Sequence, residues 1–155
     1  MDFRFKPKQS LAVILASIAL CVTAPALAAN VYGEQLEGFN YPYPLQHFNF
    51  TSQQQALSMG YMDVKPTQQA NGKTVVLMHG KNFCGATWDD TIKALSQKGY
   101  RVIAPDQIGF CSSTKPANYQ YTFQQLAQNT HQLLQQLGID NALSLIHISE
   151  PTRPR

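Results

Sequence analysis

From Leu45 onward the spacing of hydrophobic positions changes character several times. Leu45 to Phe50 and Ala56 to Val64 are β-prone, partly alternating segments separated by a polar Ser-Gln stretch, the arrangement of an antiparallel pair. Lys65 to Lys73 is a polar loop punctuated by Pro66, Asn71 and Gly72. Thr74 to Met78 (TVVLM) is continuously apolar and stops at His79-Gly80, which predicts a strand buried on both faces. A helical period predicts a helix from Trp88 to Lys98. Thr87 stands at the cap position, Asp89 and Asp90 at the positive end of the dipole, and Trp88, Ile92 and Leu95 on one face, with Gly99 closing it. Tyr100 to Ala104 is a second buried strand, ended by Pro105-Asp106. Thr122 and Gln125 form a capping box for a second helix, which carries Phe123, Leu126, Thr130, Leu133 and Leu137 along one face and ends at Gly138. An apolar stretch from Leu143 comes next.

Strand, strand, buried strand, helix, buried strand, helix is the order of an α/β sheet built with right-handed crossovers. Val31 to Pro44 precede it as an aromatic, proline-rich lead-in. Its Tyr41-Pro42-Tyr43-Pro44 predicts an extended path, because each proline restricts the residue before it. No internal repeat and no low-complexity segment interrupts the pattern.

Composition then limits the number of domains. A chain of 155 residues, 44% hydrophobic and 10% aromatic, has material for one core. The first 28 residues stand outside it. Arg4, Lys6 and Lys8 precede an apolar run from Leu11 to Val22, and Ala26-Leu27-Ala28 is a small-residue cleavage site, so residues 1–28 read as a signal peptide and the protein as exported, periplasmic or secreted. A membrane-spanning helix needs about 20 apolar residues and this run is shorter, so no permanent anchor is expected. Leu20 before Cys21 disfavours a lipoprotein anchor.

The chain has 12 Lys and Arg against 9 Asp and Glu, but the excess lies at its two ends; Ala29 to Leu143 carries seven of each sign. The formal net charge of +3 therefore implies no nucleic-acid partner, and no basic stripe is present to bind phosphates. No ligand spacing for a metal and no cofactor motif occurs. His47 and His131 fall on a strand and a helix without ligand spacing. Asn49-Phe50-Thr51 fits a glycosylation acceptor but lies within a strand behind a bacterial-type leader.

Two loops carry the candidate chemistry. In VVLMHGKNFCGATW (Val75 to Trp88) a buried strand opens into His79-Gly80 before a helix, and in RVIAPDQIGFCSS (Arg101 to Ser113) the next strand opens into Asp106-x-x-Gly109-Phe110. This pair resembles the α/β-hydrolase superfamily, whose third strand ends in His-Gly and whose fourth ends in an Asp-x-x-Gly-x-Gly-x-Ser turn. The likeness runs from Leu45 to about Asn141. It departs at Cys111, which stands at the second glycine and is expected to force a different backbone angle there.

The resemblance implies the N-terminal half of such a sheet, an antiparallel hairpin followed by parallel strands with crossover helices, stopping before the nucleophile elbow. It implies an oxyanion hole made by the backbone N–H of Lys81, with Asn82 as the neighbouring candidate, and Gly80 allowing close approach. His79 and Asp106, like Gly109, are expected to organise the loops and not to catalyse. Because the third and fourth strands are neighbours in this fold, and both loops carry a cysteine in place of a small residue, a Cys84–Cys111 disulfide is expected; the other reading is two separate buried thiols.

The tail poses a separate question. Leu143 to Arg155 reads LSLIHISEPTRPR, in which Ser149 resembles a nucleophile after a strand. The family's elbow is Gly-x-Ser-x-Gly, and here His147 and Pro151 occupy the glycine positions. The stretch SLIHISEPTRP is instead similar to translated sequencing adaptor, so residues 144–155 are expected to be a non-native tail after a partial domain at 29–143, with no catalytic residue of a triad in this chain. The β-prone ALSLIHI is able to fill the slot beside Thr74 to Met78, where the family's fifth strand belongs.

In terms of activity, the resemblance implies a hydrolase of esters or related bonds acting on a small-molecule substrate through Ser-His-Asp. A dehalogenase with an aspartate nucleophile is the alternative, since PDQIGF resembles that branch; the epoxide-hydrolase branch is disfavoured by the lack of His-Gly-x-Pro. A non-catalytic secreted binding module of the same fold is the third reading. For the leader, the expected outcome is a mature N-terminus at Ala29, checked by the intact mass of exported material; retention of residues 1–28 would contradict it.

Overall fold

The computed structural model describes residues 32–146. The signal peptide expected at 1–28 and the residues after Ile146, Ser149 among them, lie outside the described residues.

β1 (Leu45–Ser52) and β2 (Gln55–Val64) form the expected antiparallel hairpin, with Ser52 opposite Gln55 so that Gln53 and Gln54 alone turn the chain. Their φ angles are 49° and 61°, a turn geometry that usually selects Asn or Gly. The Gln53 side chain compensates by gripping a neighbouring loop: its amide donates to Gln120 O at 3.1 Å and its carbonyl accepts from Gln120 N at 2.9 Å.

β3 (Thr74–Met78), a 3-10 turn (Gly85–Trp88), α1 (Asp89–Gln97), β4 (Arg101–Pro105), α2 (Phe123–Gln136) and β5 (Leu143–Ile146) complete the described chain. The strands make one sheet in the order β1-β2-β4-β3-β5. β1, β2 and β4 run antiparallel to their neighbours, whereas β4, β3 and β5 run parallel. The sheet is therefore mixed, with β3 between β4 and β5 as the resemblance implied.

Apolar residues on both faces of β3 and β4 explain the continuous hydrophobic runs. Val76 and Ile103 turn to the α2 side with Met59, Ile108 and Leu133. Val75, Leu77, Val102 and Ala104 turn to the α1 side with Met62 and Ile92. Strand alternation thus divides each run between two cores. β5 differs: all four of its residues are exposed, so it covers the β3 edge through backbone pairing while adding almost nothing to either core. No helix among the described residues is long and apolar enough to cross a membrane.

Several local expectations are corrected. Thr87 does not cap α1: the helix starts one residue later than expected, at Asp89, after the 3-10 turn, and the Thr87 hydroxyl donates instead to Cys84 O at 2.7 Å. Phe123 does not share the packed face of α2; in the first turn of the helix it is 90% exposed. The Thr122 cap is present, its hydroxyl accepting from Gln125 N at 3.1 Å. The Gln125 side chain does not close the box, however, and donates to Ser52 and Asn129 in the polar network under the hairpin turn.

One ion pair ties β2 to β4. Arg101 meets Asp63 side-on, Nε to Oδ1 at 2.9 Å and Nη2 to Oδ2 at 2.8 Å, and Lys65 adds a contact at 2.8 Å. Burial alone would raise the Asp63 carboxyl, but the hydrogen bonds from Arg101 and Lys65 outweigh it and hold the group below its ordinary value of 3.8. A depressed folded value makes the contribution of this carboxylate complete above the ordinary value and lost as pH falls through the folded one. Asp63→Asn should therefore destabilise the folded protein by about 2 kcal/mol near neutral pH. The gap between variant and wild type in urea midpoint should narrow as pH falls below the carboxyl's ordinary 3.8; a gap independent of pH would show that the charge carries none of the effect.

Candidate active-site loops

Because β3 and β4 are parallel neighbours, the loops after them leave the sheet side by side. Beyond β3 the chain passes through His79 and Gly80 into a turn closed by Phe83 N donating to Gly80 O at 3.2 Å. Asn82, the third residue of that turn, has φ 70°. Lys81 and Asn82 are exposed, and among the described residues neither backbone N–H has an acceptor. Two adjacent free N–H groups at the end of a strand suit a negatively charged oxygen.

His79 is fully engaged. Its Nε2 accepts from Gln107 N at 2.8 Å and its Nδ1 lies 2.9 Å from Gly80 O. A backbone N–H only donates and a carbonyl only accepts, so the ring carries its proton on Nδ1 and bridges the two loops as a neutral imidazole. Phe110 packs edge-on against it at 5.3 Å.

Asp106 lies deeper, 1% exposed at the end of β4. Its Oδ1 accepts from Gly85 N at 2.6 Å; its Oδ2 accepts from Ser112 N at 3.1 Å, from Ser112 Oγ at 2.6 Å and from the Tyr41 hydroxyl. Burial, followed by the hydrogen bond to Asp106, holds the Tyr41 hydroxyl well above the usual tyrosine range, so it stays a donor. Close approach demands glycine at two points. A Cβ on Gly85 would lie 3.0 Å from Ala104 O, and one on Gly60 of β2 would overlap Ser112 Oγ at 1.9 Å. Gly60 also exchanges hydrogen bonds with the loop, its O accepting from Asp106 N at 2.8 Å and its N donating to Ser113 Oγ at 2.9 Å. Gly109 (φ 95°) donates to Thr114 O at 2.9 Å.

Cys84 and Cys111 are joined by a disulfide with Cα atoms 5.8 Å apart, which removes the reading of two separate thiols. Cys111 has φ 45°, the region glycine favours. The expectation of a different backbone angle is thus corrected: the cysteine adopts the left-handed conformation, at a cost of about 1 to 2 kcal/mol, and the disulfide and neighbouring hydrogen bonds hold it there. The sulfurs and an Asp106 oxygen lie within 4.8 Å of one another. With the sulfurs bonded to each other and the carboxylate supplied with donors, this group offers no thiolate to a metal.

Sequence pattern alone does not mark Tyr41, Gly60, Gly85, Ser112 or Lys115. Lys115 places its ammonium on Glu34 O at 2.5 Å, Cys111 O at 2.7 Å and Ser113 O at 3.2 Å, joining the lead-in to the loop after β4. The serine of the Asp-x-x-Gly-x-Gly-x-Ser pattern falls on Ser113, so its neighbour Ser112 is unmarked; Tyr41, 65 positions from its partner, leaves no local signal. His47 and His131 are exposed and take no part in these loops.

A family model described as the alpha/beta hydrolase fold matches residues 73–147, a span that contains both loops. The chain carries the N-terminal portion of an α/β-hydrolase fold. A crystal structure of a probable hydrolytic enzyme from Pseudomonas aeruginosa PAO1 is 62% identical, with a TM-score of 0.74 over 76% of this chain and 37% of that one. The cis-3-alkyl-4-alkyloxetan-2-one decarboxylase of Xanthomonas campestris pv. campestris is 35% identical over 96 residues, 57% of this chain and 31% of that protein. A haloalkane dehalogenase of Mycobacterium marinum is 43% identical over 68 residues, 42% of this chain and 22% of that protein. The chain thus spans about a third or less of the length of these α/β-hydrolase relatives.

The disulfide joins positions 27 apart, a closure worth about 3 to 4 kcal/mol in the chain-entropy account. Replacing both cysteines by serine should lower the denaturation midpoint accordingly. Dithiothreitol should bring the wild type down to the same midpoint and leave the variant unmoved. A reductant effect on the double variant would point to another target.

Proposed function

We propose that this chain is the oxyanion-loop half of an exported α/β-hydrolase that cleaves an ester or related bond of a small molecule by a Ser-His-Asp mechanism. The observation that carries this is the pair of free N–H groups of Lys81 and Asn82 beside the slot where β5 ends, Ile146 being paired with Met78. In the hydrolase reaction an oxygen becomes negative when the carbonyl is attacked, and donors fixed beforehand stabilise that charge without reorganising. A serine activated by histidine, reaching the carbonyl from the end of the neighbouring strand, completes the chemistry. The leader sequence and the disulfide both suit an oxidising compartment outside the cytoplasm.

The 155-residue chain itself is inert in this reading. It contains no Gly-x-Ser-x-Gly, and Ser149 has His147 and Pro151 at the flanking glycine positions. Residues 144–155 are read as a non-native tail without an elbow motif, of which Ser144 to Ile146 pair with β3 in the fifth slot, and the nucleophile as belonging to the natural reading frame past Leu143. The dehalogenase likeness supports a second reading, in which that frame continues into Gly-x-Asp-x-Gly; a frame with neither motif would favour a binding module.

Purified 155-residue chain should show no turnover of a p-nitrophenyl ester above buffer and no labelling by a fluorophosphonate. The gene continued in its natural frame past codon 143 should show both. Halide release from a haloalkane without fluorophosphonate labelling selects the aspartate enzyme, and labelling of Ser149 in the short chain would overturn the proposal.

A further inference from the structure

The buried carboxylate of Asp106 draws donors from three separate parts of the chain, and one of them lies outside the matched hydrolase segment. Gly85 belongs to the loop after β3, three residues beyond Asn82; Ser112 belongs to the loop after β4; Tyr41 comes from the lead-in, ahead of residues 73–147. Tyr41 reaches its partner from an extended segment. Pro42 and Pro44 restrict the residues before them, and the Tyr41 ring packs edge-on against Phe39 at 5.2 Å. Lys115 fastens the same lead-in a second time through Glu34 O. The hydroxyl is therefore presented to the carboxylate by a segment anchored at both ends.

We infer that Tyr41 is a positioning residue of the proposed oxyanion site, and that the lead-in works as a strap setting the loop of Lys81 and Asn82 through Asp106 and Gly85. The physical reason is charge compensation. A buried carboxylate that loses one donor either admits water or draws harder on its remaining donors, and one of those is the backbone of Gly85. That residue has no slack, since even a Cβ there would press on Ala104 O at 3.0 Å. A shift in Gly85 passes along a short stretch to the free N–H groups, whose aim matters more for the reaction than for substrate binding. As a statement about catalysis this rests on the function proposed above; as a statement about loop position it does not.

The test uses Tyr41→Phe, which keeps the ring and removes the hydroxyl, in the natural-frame protein, with Ile139→Val as a control of modest stability loss in the core beneath α2. Hydrogen exchange of peptides covering residues 79–88 should quicken about tenfold in Tyr41→Phe and stay at the wild-type rate in Ile139→Val, with peptides of α2 unchanged in the former. For an ester substrate, kcat should fall about tenfold, with KM within about twofold. Unchanged exchange over 79–88, or a rise spread evenly over the whole chain, would overturn the inference; so would a lowered melting temperature with kcat intact. Absence of any ester turnover in the wild type would sink the proposed function alone, because the exchange measurement still decides whether Tyr41 sets the loop.

Discussion

Taking a carboxylate out of water costs several kcal/mol unless its charge is met by donors, and Asp106, at 1% exposure, meets that demand with two backbone N–H groups and two hydroxyls. Those donors come from the lead-in and from the loops after β3 and β4. None of the three segments completes its own hydrogen bonding alone, so they settle together. Gly60 and Gly85 lack side chains because the donors must come within hydrogen-bonding reach of that one buried group while neighbouring backbone presses close.

Around this centre the other links take separate duties. His79 joins the loops, its Nε2 accepting from Gln107 N and its Nδ1 donating to Gly80 O. The disulfide limits how far the loops separate, and it holds Cys111 in a backbone conformation a side chain otherwise resists. An oxyanion site is useful only when its donors are aimed before the charge forms. On the function proposed above, those donors are the N–H groups of Lys81 and Asn82, which have no acceptor among the described residues and lie in a segment held by β3 on one side and by the disulfide on the other.

The strands, helices and sheet class were legible because each rests on a local rule. TVVLM is buried on both faces, Thr122 caps α2, and the two loop motifs stand at the ends of parallel strands. The departures share a cause as well. Helical spacing points to Thr87 and Phe123, but what lies beside a helix's first turn is decided by other elements, and in α1 a 3-10 turn absorbs the entry. The Cys111 backbone escapes prediction because residue preference is weak against a disulfide and a ring of hydrogen bonds. Tyr41 belongs to neither class: its partner is 65 positions away, and no periodicity encodes a contact between a proline-rich lead-in and a buried aspartate.

β5 carries one further consequence. Its pairing with β3 uses the main chain, while Leu143, Leu145 and Ile146 remain 58%, 45% and 57% exposed. Strand register is enforced where a slip would move apolar side chains out of a core; a strand with nothing buried meets no such penalty, and a two-residue slide along β3 keeps every backbone partner chemically equivalent. A reacting atom mounted on such a strand would inherit that freedom of position, whereas catalysis tolerates misplacement of only about 0.5 Å. What β5 supplies is closure of an edge. It supplies no fixed coordinate from which a nucleophile is aimed.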